Sequence, residues 1–238
     1  MAITTPKSAF LRGLIDGGPF VLVVMPFAAL FGLLATEAGL SITETLVFSV
    51  AVIAGAAQFT ALQLMQENAP TLIILASALA VNLRMAMYSA SLTPWIGAAP
   101  LWQRALAAYL TVDQSYVVAI AKYEAAPEMT VPQRVGYFFG AVAAVAPCWY
   151  AFTLVGALVG AQVPDSWALD FALPIAFLAL IAPMFRTAAH VAAALVAVGV
   201  SLVCAGVPYS LGLIIAGVAG MMAGAQAELL LARRGLAN

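Results

Sequence analysis

PTLIILASALAVNLRMAMYSASLTPW, from Pro70 to Trp95, is the stretch that decides the fold. It is apolar along its length except for one charge, Arg84, together with Asn82 and a few hydroxyls. At 1.5 Å per residue, a helix of this length crosses a hydrocarbon core of about 30 Å with residues to spare. Arg84 stands fourteen residues after Pro70 and twelve before Ile96, so about 18–21 Å of helix separate it from either end. Snorkelling to an interface is hard from that depth. Insertion scales put a central arginine at about 2.5–3.5 kcal/mol, and such residues face a bundle interior or a wet cavity. Arg84 therefore needs a partner or a substrate.

The rest of the chain reads the same way. Its 238 residues are 65% hydrophobic and 8% charged, with a mean hydropathy of +1.06, where soluble domains run near ~45–50% apolar and ~25% charged. Apolar runs set against loop signals predict spans near 14–36, 43–65, 70–95, 102–121, 134–160, 168–183, 188–205 and 209–231. Pro70, Pro100, Pro132, Pro164 and Pro208 fall at or beside the predicted loops. The expected fold is an all-α, polytopic transmembrane helix bundle of about eight spans (seven being possible) in a single domain, with one or more broken helices. Lys7 and Arg12 precede the first apolar run as in a signal peptide, but the run continues to about residue 36 without a small-residue cleavage site, which predicts a retained span.

Charge placement predicts orientation. With eight spans, one side collects Lys7, Arg12, Lys122, Arg134, Arg186, Arg233 and Arg234, and the other keeps only Arg104. Cytoplasmic enrichment of Lys and Arg then puts both termini in the cytoplasm, with Glu37, Glu44, Asp165 and Asp170 facing outward. A net charge of −1 gives no sign of a nucleic-acid partner. Cys148 and Cys204 lie in apolar runs without metal or redox spacing and read as small hydrophobes. Arg12 to Pro26 and Arg134 to Pro147 are similarly spaced starts of Gly-rich spans, a hint that spans one and five head duplicated halves.

Polar residues inside the spans are the candidates for function. In the third span, Ser77, Arg84, Tyr88 and Ser91 share one helical face, while Asn82, Ser89 and Thr93 share nearly the opposite one, which predicts a central helix with little lipid contact. The plainer reading makes the hydroxyls and Asn82 interhelical hydrogen bonders. Asp113 is the other deep charge, in AYLTVDQSYVVAIA, where spacing of four and three aligns Tyr109, Asp113 and Tyr116, with Thr111 and Ser115 on the next face. A carboxylate at that depth pairs with a cation, binds an amine or exchanges protons.

In the second span, IAGAAQF puts Gly55, Ala56 and Ala57 before an amide, Gln58. Small residues there permit either tight packing or a helix break, whose exposed N–H groups and positive dipole end can hold a carboxylate. Gly17, Gly18, Pro19, Pro26 and Gly32 make the first span a second candidate for a break or kink. His190, one turn after Arg186, reads as interfacial. Ser201, in a Gly-x-Ser context, has no histidine in a later span to activate it. Phosphate loops, dinucleotide fingerprints and metal-ligand motifs are missing from the sequence, and no cofactor or metal is expected.

AGAAQFTAL (Ala54 to Leu62), VNLRMAMYSASLTP (Val81 to Pro94) and YLTVDQSYVVA (Tyr109 to Ala119) resemble three signature regions of the AzlC family, FAGAxQF, NLRHxLYxxxLxP and LTDExF. The resemblance extends over nearly the whole chain. It implies a bacterial inner-membrane exporter of branched-chain and similar hydrophobic amino acids, working with a small membrane partner of the AzlD type. Two positions depart from the pattern: Met85 stands where the family has histidine, and LTDE is stretched to LTVDQ, which removes one acidic position.

The leading expectation is proton-driven export of a small zwitterion, with Arg84 and a helix break near Gly55 to Gln58 holding the carboxylate. Asp113 takes the ammonium or the proton, Tyr88 and Asn82 line the site, and apolar faces hold the side chain. One alternative is a non-transporting scaffold in which Arg84 and Asp113 form a buried structural pair. Another is a permease subunit for a different small molecule. Oligomerisation is compatible with all three.

Overall fold

The computed structural model describes residues 4–162, 185, 187–207 and 211–233. Among these residues every regular element is helical and there is no strand. The helices are α1 (Pro6–Gly17), α2 (Val21–Glu37), α3 (Ile42–Ala51), α4 (Gly55–Gln66), α5 (Thr71–Ile96), α6 (Leu101–Tyr109), α7 (Asp113–Ala125), α8 (Val131–Gly160), α9 (Ala188–Val203) and α10 (Leu211–Arg233). The sixth predicted span, Pro164, Pro208, Asp165, Asp170, Arg186 and Arg234 lie outside the described residues.

Local chemistry explains most of the helix starts. Ser41 and Glu44 cap α3 reciprocally, with Glu44 N–H donating to Ser41 Oγ at 3.2 Å and Ser41 N–H to Glu44 Oε2 at 2.8 Å. Thr5 and Ser8 do the same for α1. Thr187 caps α9 and pairs with His190 Nδ1 at 3.1 Å, which keeps the histidine exposed at a helix start, in keeping with an interfacial position.

The first span begins earlier than predicted. A capped helix starts at Pro6, and one tight 3₁₀ turn at Gly18–Phe20 joins α1 to α2, so Pro6–Glu37 runs as one long apolar rod with a defect at Gly18 and Pro19. The second predicted span is interrupted, one of the two outcomes its Gly/Ala run permits. Between α3 and α4 the backbone leaves the helix, and Val52 is extended at φ −131 and ψ 91.

The fourth predicted span departs from expectation: it is split, and its two halves double back. Arg104 near the start of α6 donates to Gly97 O, while Tyr123 near the end of α7 donates to the carbonyl of Arg134, whose guanidinium holds Trp95 O. Arg104 and Arg134, expected on opposite sides, therefore lie at one end of α8. α6 ends at Tyr109 and α7 begins at Asp113, so Tyr109 cannot share a helical face with Asp113 and Tyr116. The split is chemically closed: Thr111 Oγ1 donates to Ala107 O at 2.7 Å, Val112 N–H donates to Ser115 Oγ at 2.9 Å, and that hydroxyl returns to Val112 O at 3.0 Å.

The chain divides into two compact units. The first holds α1 to α3, α4 through Leu62, α5 from Ala78, and α6 to α8. Its spine is the parallel packing of α1 and α2 along α8. Glycines let the backbones touch from both sides: a Cβ on Gly13 would stand 2.1 Å from Tyr137 O, one on Gly140 2.0 Å from Phe10 O, one on Gly32 2.0 Å from Thr153 O, and one on Gly156 1.8 Å from Ala29 O. Tyr123, Tyr137 and Phe138 fill the core beside the spine.

The third span is less enclosed than predicted. On α5, Leu79, Leu83 and Met87 form an outward row, 64–68% exposed, because the two polar stripes leave a third, purely apolar face between them. The second unit comprises Gln63–Ser77 with α9 and α10. There α9 and α10 pack as a hairpin, with Gly220 and Gly224 against Ala193, and Asn68, at φ 55, turns the chain from α4 into α5.

Candidate functional site

The two interrupted spans meet at their interruptions. Tyr109, the last residue of α6, donates its hydroxyl to Val50 O, a carbonyl in the last turn of α3 that the break leaves without a helical partner. Each break thus helps to satisfy the other.

At the first break, Gly55 opens α4 under tight constraint. A Cβ at Gly55 would stand 2.5 Å from Phe27 Cε1 and 2.8 Å from Trp149 Cη2, so any larger residue would have to push these rings aside for α4 to start where it does. The first bond of the new helix runs from Gln58 N–H to Ala54 O at 3.0 Å, which leaves the amides of Gly55, Ala56 and Ala57 ahead of the helical ladder. Gln58 itself turns away into the protein. It is fully buried, and its Nε2 donates to Ser49 Oγ at 3.1 Å.

At the second break, Asp113 is the first residue of α7, where the positive end of the helix dipole favours its charge. Arg84 Nη1 lies 3.0 Å from Asp113 Oδ2. The Tyr88 hydroxyl donates to Asp113 Oδ1 at 2.9 Å. Tyr88 stacks on Tyr116 with centroids 4.2 Å apart, and the Tyr116 hydroxyl meets Ser91 at 3.1 Å. The polar stripe of α5 and the polar start of α7 therefore lock together rung by rung. The side chains of Arg84 and Asp113 remain 29% and 40% exposed, and Arg84 Nε has no hydrogen-bond partner. The partly exposed atoms of the pair are therefore the charged ends, while the donor without a partner, Arg84 Nε, is buried behind them.

Of the sequence candidates, Arg84, Tyr88 and Asp113 come together in one cluster, Gly55 marks the other break, and Gln58 points into a separate buried polar group. Asn82 Oδ1 is buried without a partner. On its face of α5, the Thr93 hydroxyl donates to Ser89 O at 2.8 Å within the same helix.

Sequence reading missed Thr45, Ser49, Trp149 and Thr153, which surround the Gln58 amide or lie one turn from it. Thr45 and Ser49 carried a signal in their four-residue spacing on an otherwise apolar helix. It also missed that Thr111, Asp113 and Ser115, crowded mid-span, are helix-start residues.

The AzlC protein family pattern matches residues 19–163, which span α2 through α8 and every residue of the site. Inner membrane protein YgaZ of Escherichia coli (strain K12) is 28% identical over 189 residues, covering 76% of each chain. An uncharacterized membrane protein of Archaeoglobus fulgidus is 28% identical over 193 residues, covering 79% of this chain and 81% of its own. No solved structure matches.

Proposed function

Because the chain belongs to the AzlC family, we propose that it is a secondary transporter subunit that exports branched-chain or similar hydrophobic amino acids across the bacterial inner membrane, driven by protons. The observation that carries this reading is the Arg84–Asp113 pair at the start of α7, which remains partly exposed at both side chains. An exposed ion pair at membrane depth is costly against lipid. Water or a zwitterion beside it removes that cost, because a carboxylate and an ammonium complement Arg84 and Asp113 charge for charge.

In the transport cycle the substrate carboxylate meets Arg84, and the leading amides of α4 from Gly55 provide a second cationic end. The ammonium meets Asp113 as Tyr88 releases one of its oxygens. Apolar faces hold the side chain. The protein acts by binding and release, not by bond chemistry, and both termini face the cytoplasm. A small AzlD-type membrane protein covers the outward row of α5, and lipid surrounds the rest.

Efflux of radiolabelled valine or leucine from proteoliposomes, with the AzlD-type partner present, tests the reading. Arg84→Ala and Asp113→Asn should each lower efflux at least about tenfold, and collapsing an imposed pH gradient should stop it in the unmutated protein. Efflux unchanged in both variants would overturn the assignment.

A further inference from the structure

We propose that the break between α3 and α4 holds a monovalent cation of sodium size, ligated by neutral oxygens of Thr45, Ser49, Gln58 and Thr153. These four polar side chains are fully buried. Ser49 Oγ lies 3.4 Å from Thr153 Oγ1 and 3.1 Å from the Gln58 amide, and Thr45 sits one turn earlier on the same face of α3. Two of the oxygens, Thr45 Oγ1 and Gln58 Oε1, have no hydrogen-bond partner. Buried acceptors are rarely left unpaired, so two such oxygens in one cluster are an imbalance that calls for a partner.

A cation answers that imbalance, and three features fit one. Oxygens 3.4 Å apart are what two ligands at right angles on one ion show when each bond is about 2.4 Å, the length for a calcium-sized ion. Sodium has that size with half the charge, and these ligands are uncharged. Second, a half-turn of the Gln58 amide puts Oε1 where Nε2 stands, beside Ser49 Oγ, without moving the side chain. Third, Ser49 lies in the last turn of α3, where the negative dipole end and carbonyls freed by the break favour positive charge. Tyr109 already uses the Val50 carbonyl. The unpartnered Trp149 N–H, one turn before Thr153, is a donor and supplies no ligand.

The site shares no residue with the Arg84–Asp113 cluster, and it stands whether or not the export reading does. An ion there ties α3 and α8 to the first turn of α4, and so fixes where the amides after Gly55 point.

The test is thermal unfolding of the purified full chain in NaCl, KCl and choline chloride at equal ionic strength. Sodium should raise Tm saturably over choline, with little effect of potassium. Ser49→Ala and Thr153→Val should remove the sodium increment, while Arg84→Ala, expected to lose efflux, should keep it. The unmutated protein decides the matter even where variants fold poorly. Equal Tm in the three salts, or equal effects of sodium and potassium, overturns the proposal, as does an increment that survives Ser49→Ala and Thr153→Val.

Discussion

Both oxygens of Asp113 are engaged from α5: Oδ2 by Arg84 Nη1 at 3.0 Å and Oδ1 by the Tyr88 hydroxyl at 2.9 Å. If the pair serves transport, losing it costs efflux more than folding. Arg84→Ala should lower efflux about ten- to hundredfold, the equivalent of one hydrogen-bonded charge worth ~1.5–3 kcal/mol. The double apolar replacement Arg84→Met with Asp113→Leu should restore the yield lost in single variants without restoring efflux. Recovery of both would favour a purely structural pair. Efflux assays alongside size-exclusion yield separate the two.

Tyr88→Phe keeps the stack on Tyr116 and deletes one hydrogen bond to Asp113. Folding yield should stay near that of the parent, whereas KM for efflux should shift severalfold, in line with about 1 kcal/mol for one hydroxyl. A Tyr116→Leu variant, which removes the stack itself, should cost yield as well.

The glycine contacts of the spine predict a sharp positional contrast. Gly156→Ala places a methyl 1.8 Å from Ala29 O, whereas Gly18→Ala meets nothing within 4 Å. The first should destabilise by about 1–3 kcal/mol, read as a Tm lower by several degrees, and the second should be close to neutral. Parallel melting curves in one detergent make the comparison.

Orientation is open to labelling. After Cys148 and Cys204 are replaced by alanine, Lys7→Cys and Arg104→Cys should both react with an impermeant maleimide only in inside-out vesicles, because Arg104 donates to Gly97 O and Arg134 to Trp95 O, beside the end of α8 that packs on Pro6. Labelling of the two from opposite sides would restore the sidedness that the charge count alone suggests.

Much of this was legible in the residues before any folding. Hydropathy and span length specify a membrane bundle because lipid demands about 20 apolar residues and internally satisfied backbones. The depth of Arg84 and Asp113 marks both as residues that need partners, since an isolated charge there is too costly. Gly55 and its alanines allowed the first break without requiring it. Tertiary structure alone decided the rest. Helical periodicity aligned Tyr109 with Asp113, yet Thr111 and Ser115 close a break between them, because hydroxyls can satisfy backbone groups as a helix does and spacing cannot tell the two uses apart. That Arg84 meets Asp113, and that Tyr109 joins the two breaks through Val50, depends on how α3, α5, α6 and α7 pack. Such pairings lie between helices, and no period along a single helix encodes them.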